Sequence, residues 1–420
     1  MIDDGASGRL GPRPAELAIL GGSKAFSEQL HVGRPNIGDR FRLMERMSGI
    51  LDRRWLTNDG PLVREFEQAV AEFVDVRHCV AMANGTVALQ IAIRVAGFTG
   101  EAILSPLTFV ATAHALQWQG IRPAFCDVDP DTHNLDAARA ENMITERTSG
   151  IVGVHLWGRQ CAIDELTALA ERRGLALLFD AAHAFGCSHR GRMIGGYGRA
   201  EVLSFHATKF LNTFEGGAIV TDDSDFAEQA RLMRNHGFAD YDEVRLVGTN
   251  AKMTEAAAAM GLTSLEARDD FYAANRHNYE AYRAGLDGIA GIDLMAYDEA
   301  ELCNRHYIVI EVDESAALSR DDLQRVLWAE NVLARRYFFP ACHRMEPYRS
   351  VLSGAGHELP EVERLTLRLL ALPTGTAIGP ATVARITELI RRAMADGPRL
   401  RRRLQAIGPM GADLPTPGRS

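Results

Sequence analysis

The sequence predicts an α/β fold: a large, mostly parallel sheet covered by helices on both faces, followed by a smaller α/β domain. Three observations carry that expectation. Short apolar runs alternate with helical patterns between about residues 78 and 222, helix ends carry the residues that helix ends need, and residues 252–286 form a long proline-free stretch with helical periodicity.

CVAMAN reads as the first strand and TVALQIAIRVAG as the helix after it; EAILSP, a helix around FVATAHALQWQG, and RPAFCDV repeat the unit. GIVGVHLWG, the helix DELTALAERRG, LALLFDA, EVLSFH and GGAIVTD continue it. Continuous apolar strands indicate burial on both faces, as crossover helices produce. Gly174 follows the basic last turn of ELTALAERR, where glycine accepts the left-handed conformation and arginines complement the helix dipole. Ala256, Met260, Thr263 and Ala267 lie near helical spacing and predict one helix across 252–286 that links two domains. Beyond it, HYIVIEVD reads as a strand and RDDLQRVLWAENV as an amphipathic helix. GPATVARITELIRRAMADG reads as a terminal helix between Pro380 and Gly397. The expected organisation is an N-terminal segment (1–60), a large domain (61–269), a small domain (270–398) joined by part of the N-terminal segment, and a basic, flexible tail (399–420).

A chain of 420 residues with 46% hydrophobic content buries a sizeable core in two or three domains. No apolar run reaches the roughly 18 to 20 residues that span a bilayer, and MIDDGASGRL carries two acids and no apolar signal region, so a soluble cytoplasmic enzyme without membrane contact is expected. Cys79, Cys126, Cys161, Cys187, Cys303 and Cys342 show no CxxC spacing and read as reduced structural thiols, with no metal site. A net charge of −9 with dispersed basic residues gives no footprint for nucleic acid. The arginine run in residues 399–403 reads as a solvated tail.

Asp180 ends the apolar run LALLF, where a carboxylate needs a cation or donor in front of it. Lys209 follows the strand EVLSFH and precedes a Gly-Gly turn. That pair suggests pyridoxal phosphate: a lysine amine holds the cofactor's aldehyde as a Schiff base, and a carboxylate keeps the pyridine nitrogen protonated. A salt-bridging or capping aspartate is the competing reading. Asn84, Gly85 and Thr86 open a helix after the first strand, as a phosphate cradle or as an ordinary cap. Phe109 lies after the second strand, where a ring either stacks on a ligand or joins the core. His183, three residues past Asp180, either aims at the cofactor's 3-oxygen or the carboxylate, or caps a helix. Ser204 and His206 share one face of a strand, and a bend at Ala207–Thr208 returns Lys209 to the same cleft. In a desolvated, electropositive pocket Lys209 is deprotonated near neutrality and serves as carrier and proton shuttle. No strand-GxGxxG-helix fingerprint supports a nicotinamide dehydrogenase.

CVAMANGTVALQ, SPLTFVATAHAL, PAFCDVDPDT, VHLWGRQCAIDEL, FDAAHAFG, SFHATK, FEGGAIVTDD, RLMRNHG and TNAKMTEAAAAMGLTSLE follow one another as in the DegT-type sugar aminotransferase family, which the chain resembles over roughly residues 30 to 395. The resemblance implies the fold type I (aspartate aminotransferase-like) architecture of pyridoxal phosphate enzymes and a homodimer with shared active sites. It also implies phosphate contacts from Gly85, Thr86 and Ser204, ring stacking by Phe109, ring-nitrogen pairing by Asp180 and covalent attachment at Lys209. Asn250, in TNAKM, matches the asparagine that reaches the phosphate from the other subunit. His183 stands where glutamine is commoner. Members with histidine in place of the attachment lysine dehydrate their substrates, and Lys209 sets this chain apart from them.

GRPNIGDRFRLMERMSGILDRRWLTNDGP with SFHATKFLNTFEGG looks most like members that aminate C4 of a nucleotide-linked 4-keto-6-deoxyhexose. The resemblance implies a TDP-linked keto sugar and L-glutamate as substrates, Thr57 and Asn58 near the sugar, and Tyr337 and His343 at the entrance. C3 amination, a cyclitol or aminobenzoate-type ketone, and a cofactor-binding regulatory protein are the alternatives. High Arg and Ala usage fits a GC-rich bacterial source and antibiotic-type secondary metabolism.

Overall fold

The central sheet draws all seven of its strands from residues 78–221, in a computed structural model that describes residues 16–351 and 358–408. The chain enters through β1 (Leu30–His31), α1 (Arg40–Arg53) and α2 (Pro61–Val74). The alternation then gives β2 (His78–Met82), α3 (Gly85–Val95), β3 (Glu101–Leu104), α4 (Val110–Gln117), β4 (Arg122–Phe125), α5 (Ala137–Met143), β5 (Thr148–Val154), α6 (Ile163–Arg173) and β6 (Ala176–Asp180). A small hairpin, β7 (Ser188–His189) with β8 (Arg192–Met193), precedes β9 (Ala200–Ser204) and β10 (Gly217–Thr221). The order is β2-β10-β9-β6-β5-β3-β4, and only β10 runs against its neighbours. Successive strand residues join opposite apolar clusters: Leu178 and Val202 one, Phe179 and Leu203 the other. This is the period-two signature of a sheet covered on both faces.

After α7 (Ser224–Arg234) and the exposed hairpin of β11 (Phe238–Asp240) and β12 (Glu243–Val244), the single helix expected over 252–286 is two. α8 (Glu255–Glu266) and α9 (Arg268–Leu286) meet at Ala267, with φ −93° and ψ 5°. The periodicity continues, but the environment changes. α8 is buried almost all round beside α2, whereas α9 is amphipathic and starts its own first turn with Asp269 and Asp270.

The small domain holds an antiparallel sheet of β13 (Ile292–Leu294), β14 (Ile308–Val312) and a strand farther on, with α10 (Arg320–Ala329), β15 (Val332–Leu333), α11 (Tyr348–Val351) and α12 (Pro360–Arg368) between. That third strand is β16 (Leu369–Leu372), followed by α13 (Pro380–Ala395) and α14 (Gly397–Ile407). The N-terminal segment crosses to this domain: β1 pairs in parallel with β15, and the buried Glu330 carboxylate accepts from the N–H groups of Ala18 and Ala25, both at 2.7 Å. Asn36 pins the strap that follows β1. Its Nδ2 donates to the Phe210 carbonyl at 3.0 Å, and its Oδ1 accepts from the Thr376 N–H at 3.0 Å.

The flexible tail expected from residue 399 is, as far as residue 407, helical and packed instead. Leu400 and Leu404, one helical turn apart, bury against the domain, and the Arg403 Nε donates to the Ile19 carbonyl. The rest of that expected tail, 409–420, lies outside the described residues. All six cysteines are buried and free. Among the described residues no helix is long and apolar enough to cross a membrane, and no cluster of His, Cys, Asp and Glu is arranged to hold a metal ion.

Candidate active site

The carboxyl ends of β2, β3, β6 and β9 open on one cleft of about 790 Å³, where open α/β sheets receive ligands. Asp180, the last residue of β6, is 5% exposed. Its Oδ2 accepts from the Thr112 hydroxyl at 2.8 Å and its Oδ1 from the Ala182 N–H at 3.1 Å. Burial pushes its pKa above the usual carboxylate range, opposed by those two donors and by the charge of Lys209. A carboxylate in that position favours a cation, or a protonated ring nitrogen, set in front of it.

Lys209 lies past β9, where its N–H donates to the His206 carbonyl and turns the chain back into the cleft. Its amine reaches toward the Tyr307 hydroxyl at 3.5 Å. Burial pulls its pKa down to about 8, with Asp180 pulling the other way. A useful share of free amine is therefore present near neutrality, as nucleophilic attack on an aldehyde requires.

Asn84 caps α3 by accepting the Val87 N–H at 2.9 Å, which leaves the first N–H groups of the helix, at Gly85 and Thr86, unused by the cap. The neighbouring chains come very close: a Cβ on Gly85 would stand 3.1 Å from the Ser204 Cβ, and one on Gly217 would stand 2.6 Å from the Gly85 nitrogen. Glycine at both positions lets the start of α3, β9 and β10 pack this closely, and Gly85, Thr86 and Ser204 line the cleft together, a set of N–H and hydroxyl donors that fits a phosphate dianion.

Phe109, the N-cap residue of α4, holds its ring at the cleft, 57% exposed and 6.2 Å from Phe338. His183 is buried, its Nδ1 accepting from the Trp157 N–H at 3.1 Å, which assigns the proton of the neutral ring to Nε2. Burial, with Lys209 and His306 nearby, holds its pKa well below normal, so Nε2–H is a neutral donor. The ring packs 4.4 Å from Tyr307 and stacks with Phe338. The phosphate donors, the flat face at Phe109, the carboxylate and the amine together fit pyridoxal phosphate.

The cleft gathers Gly85, Thr86, Phe109, Asp180, His183, Ser204, Lys209 and Tyr337. His343 does not line this cleft: in the turn Cys342–Arg344 the Cys342 thiol faces the Thr108 carbonyl, and the largely buried His343 pairs through Nε2 with Glu363 at 2.7 Å at a separate cavity. Thr57 and Asn58 lie in the turn between α1 and α2, outside this chain's cleft. Asn250 also stands outside it, exposed, its Oδ1 accepting from the Lys252 amine at 2.7 Å. The sequence reading missed several residues at the site, among them Arg34, Tyr307 and Arg335 in the cleft lining and Thr112 behind Asp180. Thr112 sits one turn after Phe109, a spacing that would have flagged it; Tyr307 lies just before β14 in a segment whose pattern says only strand.

Residues 39–391 match the DegT/DnrJ/EryC1/StrS aminotransferase family. The dTDP-4-amino-4,6-dideoxy-D-glucose transaminase of Shigella dysenteriae is 34% identical over 366 residues, spanning 87% of this chain and 99% of its own. GDP-perosamine synthase of Caulobacter vibrioides is 34% identical over 346 residues, spanning 80% of this chain and 91% of its own. The crystal structure of DesI in the presence of its TDP-sugar product is similar with a TM-score of 0.88 at 51% identity, covering 92% of this chain and 98% of that one.

Proposed function

This chain belongs to the DegT/DnrJ/EryC1/StrS aminotransferase family and is a pyridoxal phosphate-dependent sugar aminotransferase, and on that premise we propose that it moves an amino group from L-glutamate to C4 of a TDP-4-keto-6-deoxyhexose. The product is TDP-4-amino-4,6-dideoxy-D-glucose, made in the cytoplasm for deoxysugar biosynthesis in a bacterial secondary metabolite. The observation that carries the reading is the confrontation of Lys209 and Asp180 in a cleft whose rim fits a phosphate. The choice of C4 and TDP is supported by likeness to a transaminase named for that aminosugar and to DesI with its TDP-sugar product.

Pyridoxal phosphate, when bound, supplies the electron sink for moving an amino group between carbons. Gly85, Thr86 and Ser204 would receive its phosphate, Phe109 would cover its ring, and His183 would offer Nε2–H to its ring oxygen. Asp180 would hold a proton on the ring nitrogen, its pull raised by burial, while the Thr112 hydroxyl keeps the carboxylate ionised and oriented. Lys209 would hold the cofactor through its Nζ, and as a free amine it would take the proton from the donor's α-carbon in one half and deliver a proton to the sugar carbon that receives nitrogen in the other. Tyr307 lies within reach of that amine and orients it.

The working unit in this proposal is a homodimer in which Asn250 of one chain completes the phosphate site of the other. Support comes from its exposed place outside its own cleft and from the apolar side chains that α1 leaves exposed, Phe41, Met44 and Leu51. Offering the 4-keto and 3-keto TDP-6-deoxy sugars separately with glutamate, and locating the new amine by NMR, tests the reading. Preferential amination of the 3-keto compound would move the chain to the C3 branch.

A further inference from the structure

Where β1 and β15 run in parallel, Leu30 stands opposite Val332 and His31 opposite Leu333. Each strand is followed within three residues by an arginine, Arg34 and Arg335, so both guanidinium groups leave the same ends of two paired strands. Both line the cleft together with His31. Both lie near enough to His31 that burial, with the two charges, holds its pKa below the ordinary value. Arg335 is steadied over the Tyr337 ring at 5.5 Å, an arrangement that leaves its N–H donors free.

No ion pair with a carboxylate involves either arginine among the described residues. The acids that line the cleft are engaged elsewhere, Asp180 with Thr112 and Ala182, Glu215 with His206 at 3.5 Å. Two partly buried guanidinium groups without a counter-charge are costly unless an anion arrives. The phosphate donors at Gly85 and Ser204 come from α3 and β9, elements other than the β1–β15 pair, which leaves the two arginines for the reactants.

We propose that Arg34 and Arg335 form the anion-receiving site for the reactants, gripping an oxyanion group through their planar forks: a carboxylate of an acidic amino donor or the diphosphate of the nucleotide sugar. The inference deepens the function proposed above and rests on it. Guanidinium matches both groups bidentately, whereas an ammonium would supply charge without the fork. Because a transaminase holds donor and acceptor in turn, one anion site can serve both halves of the cycle.

The test is calorimetric binding of succinate and of TDP, neither of which can react, to the cofactor-loaded wild type, Arg34→Gln, Arg335→Gln and the double variant. The visible cofactor band and thermal unfolding are followed in parallel. The double variant is expected to bind at least one of the two probes about tenfold to a hundredfold more weakly, the range for lost hydrogen bonds to a charged group, with the band retained. Loss for succinate alone assigns the carboxylate, loss for TDP alone the diphosphate, and loss for both a shared site. On the wild type, which needs no variant to fold, succinate or TDP at saturation should slow phenylglyoxal modification of Arg34 and Arg335 mapped by mass spectrometry. Affinities within twofold of wild type for both probes, or modification indifferent to both, overturn the proposal. C4 amination in the product assay would survive that failure, so the two readings fall separately.

Discussion

On the floor of the cleft Asp180 is held by Thr112 and Ala182 and faces Lys209, whereas on the wall Arg34 and Arg335 meet the cavity with no carboxylate. The floor comes from neighbouring strand ends within residues 84–209. The wall comes from residues 29–35 and 333–338, joined only where β1 meets β15. The contrast separates two demands. Proton and electron chemistry needs groups fixed before the reaction begins, while reactants that come and go each turnover need a charge that is satisfied only when they are present.

The floor breaks most completely at Lys209. Lys209→Ala should lower amino transfer by at least about a thousandfold, because one side chain is both carrier and proton shuttle. Borohydride reduction of the cofactor-loaded wild-type protein, expected to be yellow, followed by mass mapping, should place the cofactor on Lys209, and an adduct on another lysine would overturn its role as carrier. Asp180→Asn should keep much of the cofactor binding yet slow both half-reactions about a hundredfold or more, read by stopped-flow absorbance. Near-normal half-reactions would make the aspartate a structural residue. Thr112→Val should cost about tenfold by removing one donor from a buried carboxylate.

A third region enters if the dimer is right. Asn250→Ala should cost about tenfold, and mixing it with Lys209→Ala subunits should restore one intact site per heterodimer. If exchange between subunits is verified and activity does not rise above the sum of the parents, the site is not shared. The smallest effect is a shift of pH dependence. Burial disfavours the Lys209 ammonium and brings its pKa to about 8, so free amine accumulates as pH rises through that value. Cofactor uptake by the cofactor-free protein should accelerate up to about pH 8 and level off above it. Asp180→Asn should move the midpoint lower, since the lost carboxylate favoured the charged form. A rate still climbing toward pH 10 would mean that Lys209 is solvated as an ordinary surface lysine.

The floor is legible in the sequence because Asp180, Ser204 and Lys209 stand at strand ends and Gly85 and Thr86 at a helix start, places that local pattern marks. Tyr307 and Arg335 are not, since their positions depend on β14 packing and β15 pairing across the whole chain. The break at Ala267 leaves the helical period intact; what changes there is the number of buried sides, which only tertiary packing sets. A single 3-10 turn sends adjacent side chains to different partners, Cys342 to the Thr108 carbonyl and His343 to Glu363, a division that local pattern does not mark. In α14 four arginines mask the Leu400–Leu404 pair that docks the helix.

The strap pinned by Asn36 also has a place in time. Its bond to Thr376 joins residues 340 positions apart, so during synthesis the strap emerges early and waits while nearly all of its partners are still unmade. The seven-stranded sheet, finished at Thr221, needs nothing from those later residues to pair its strands. Closing so long a loop is slow relative to pairing neighbours in sequence. The newborn chain therefore assembles the seven-stranded sheet before the strap that Asn36 anchors, and that strap is among the last parts to find its seat.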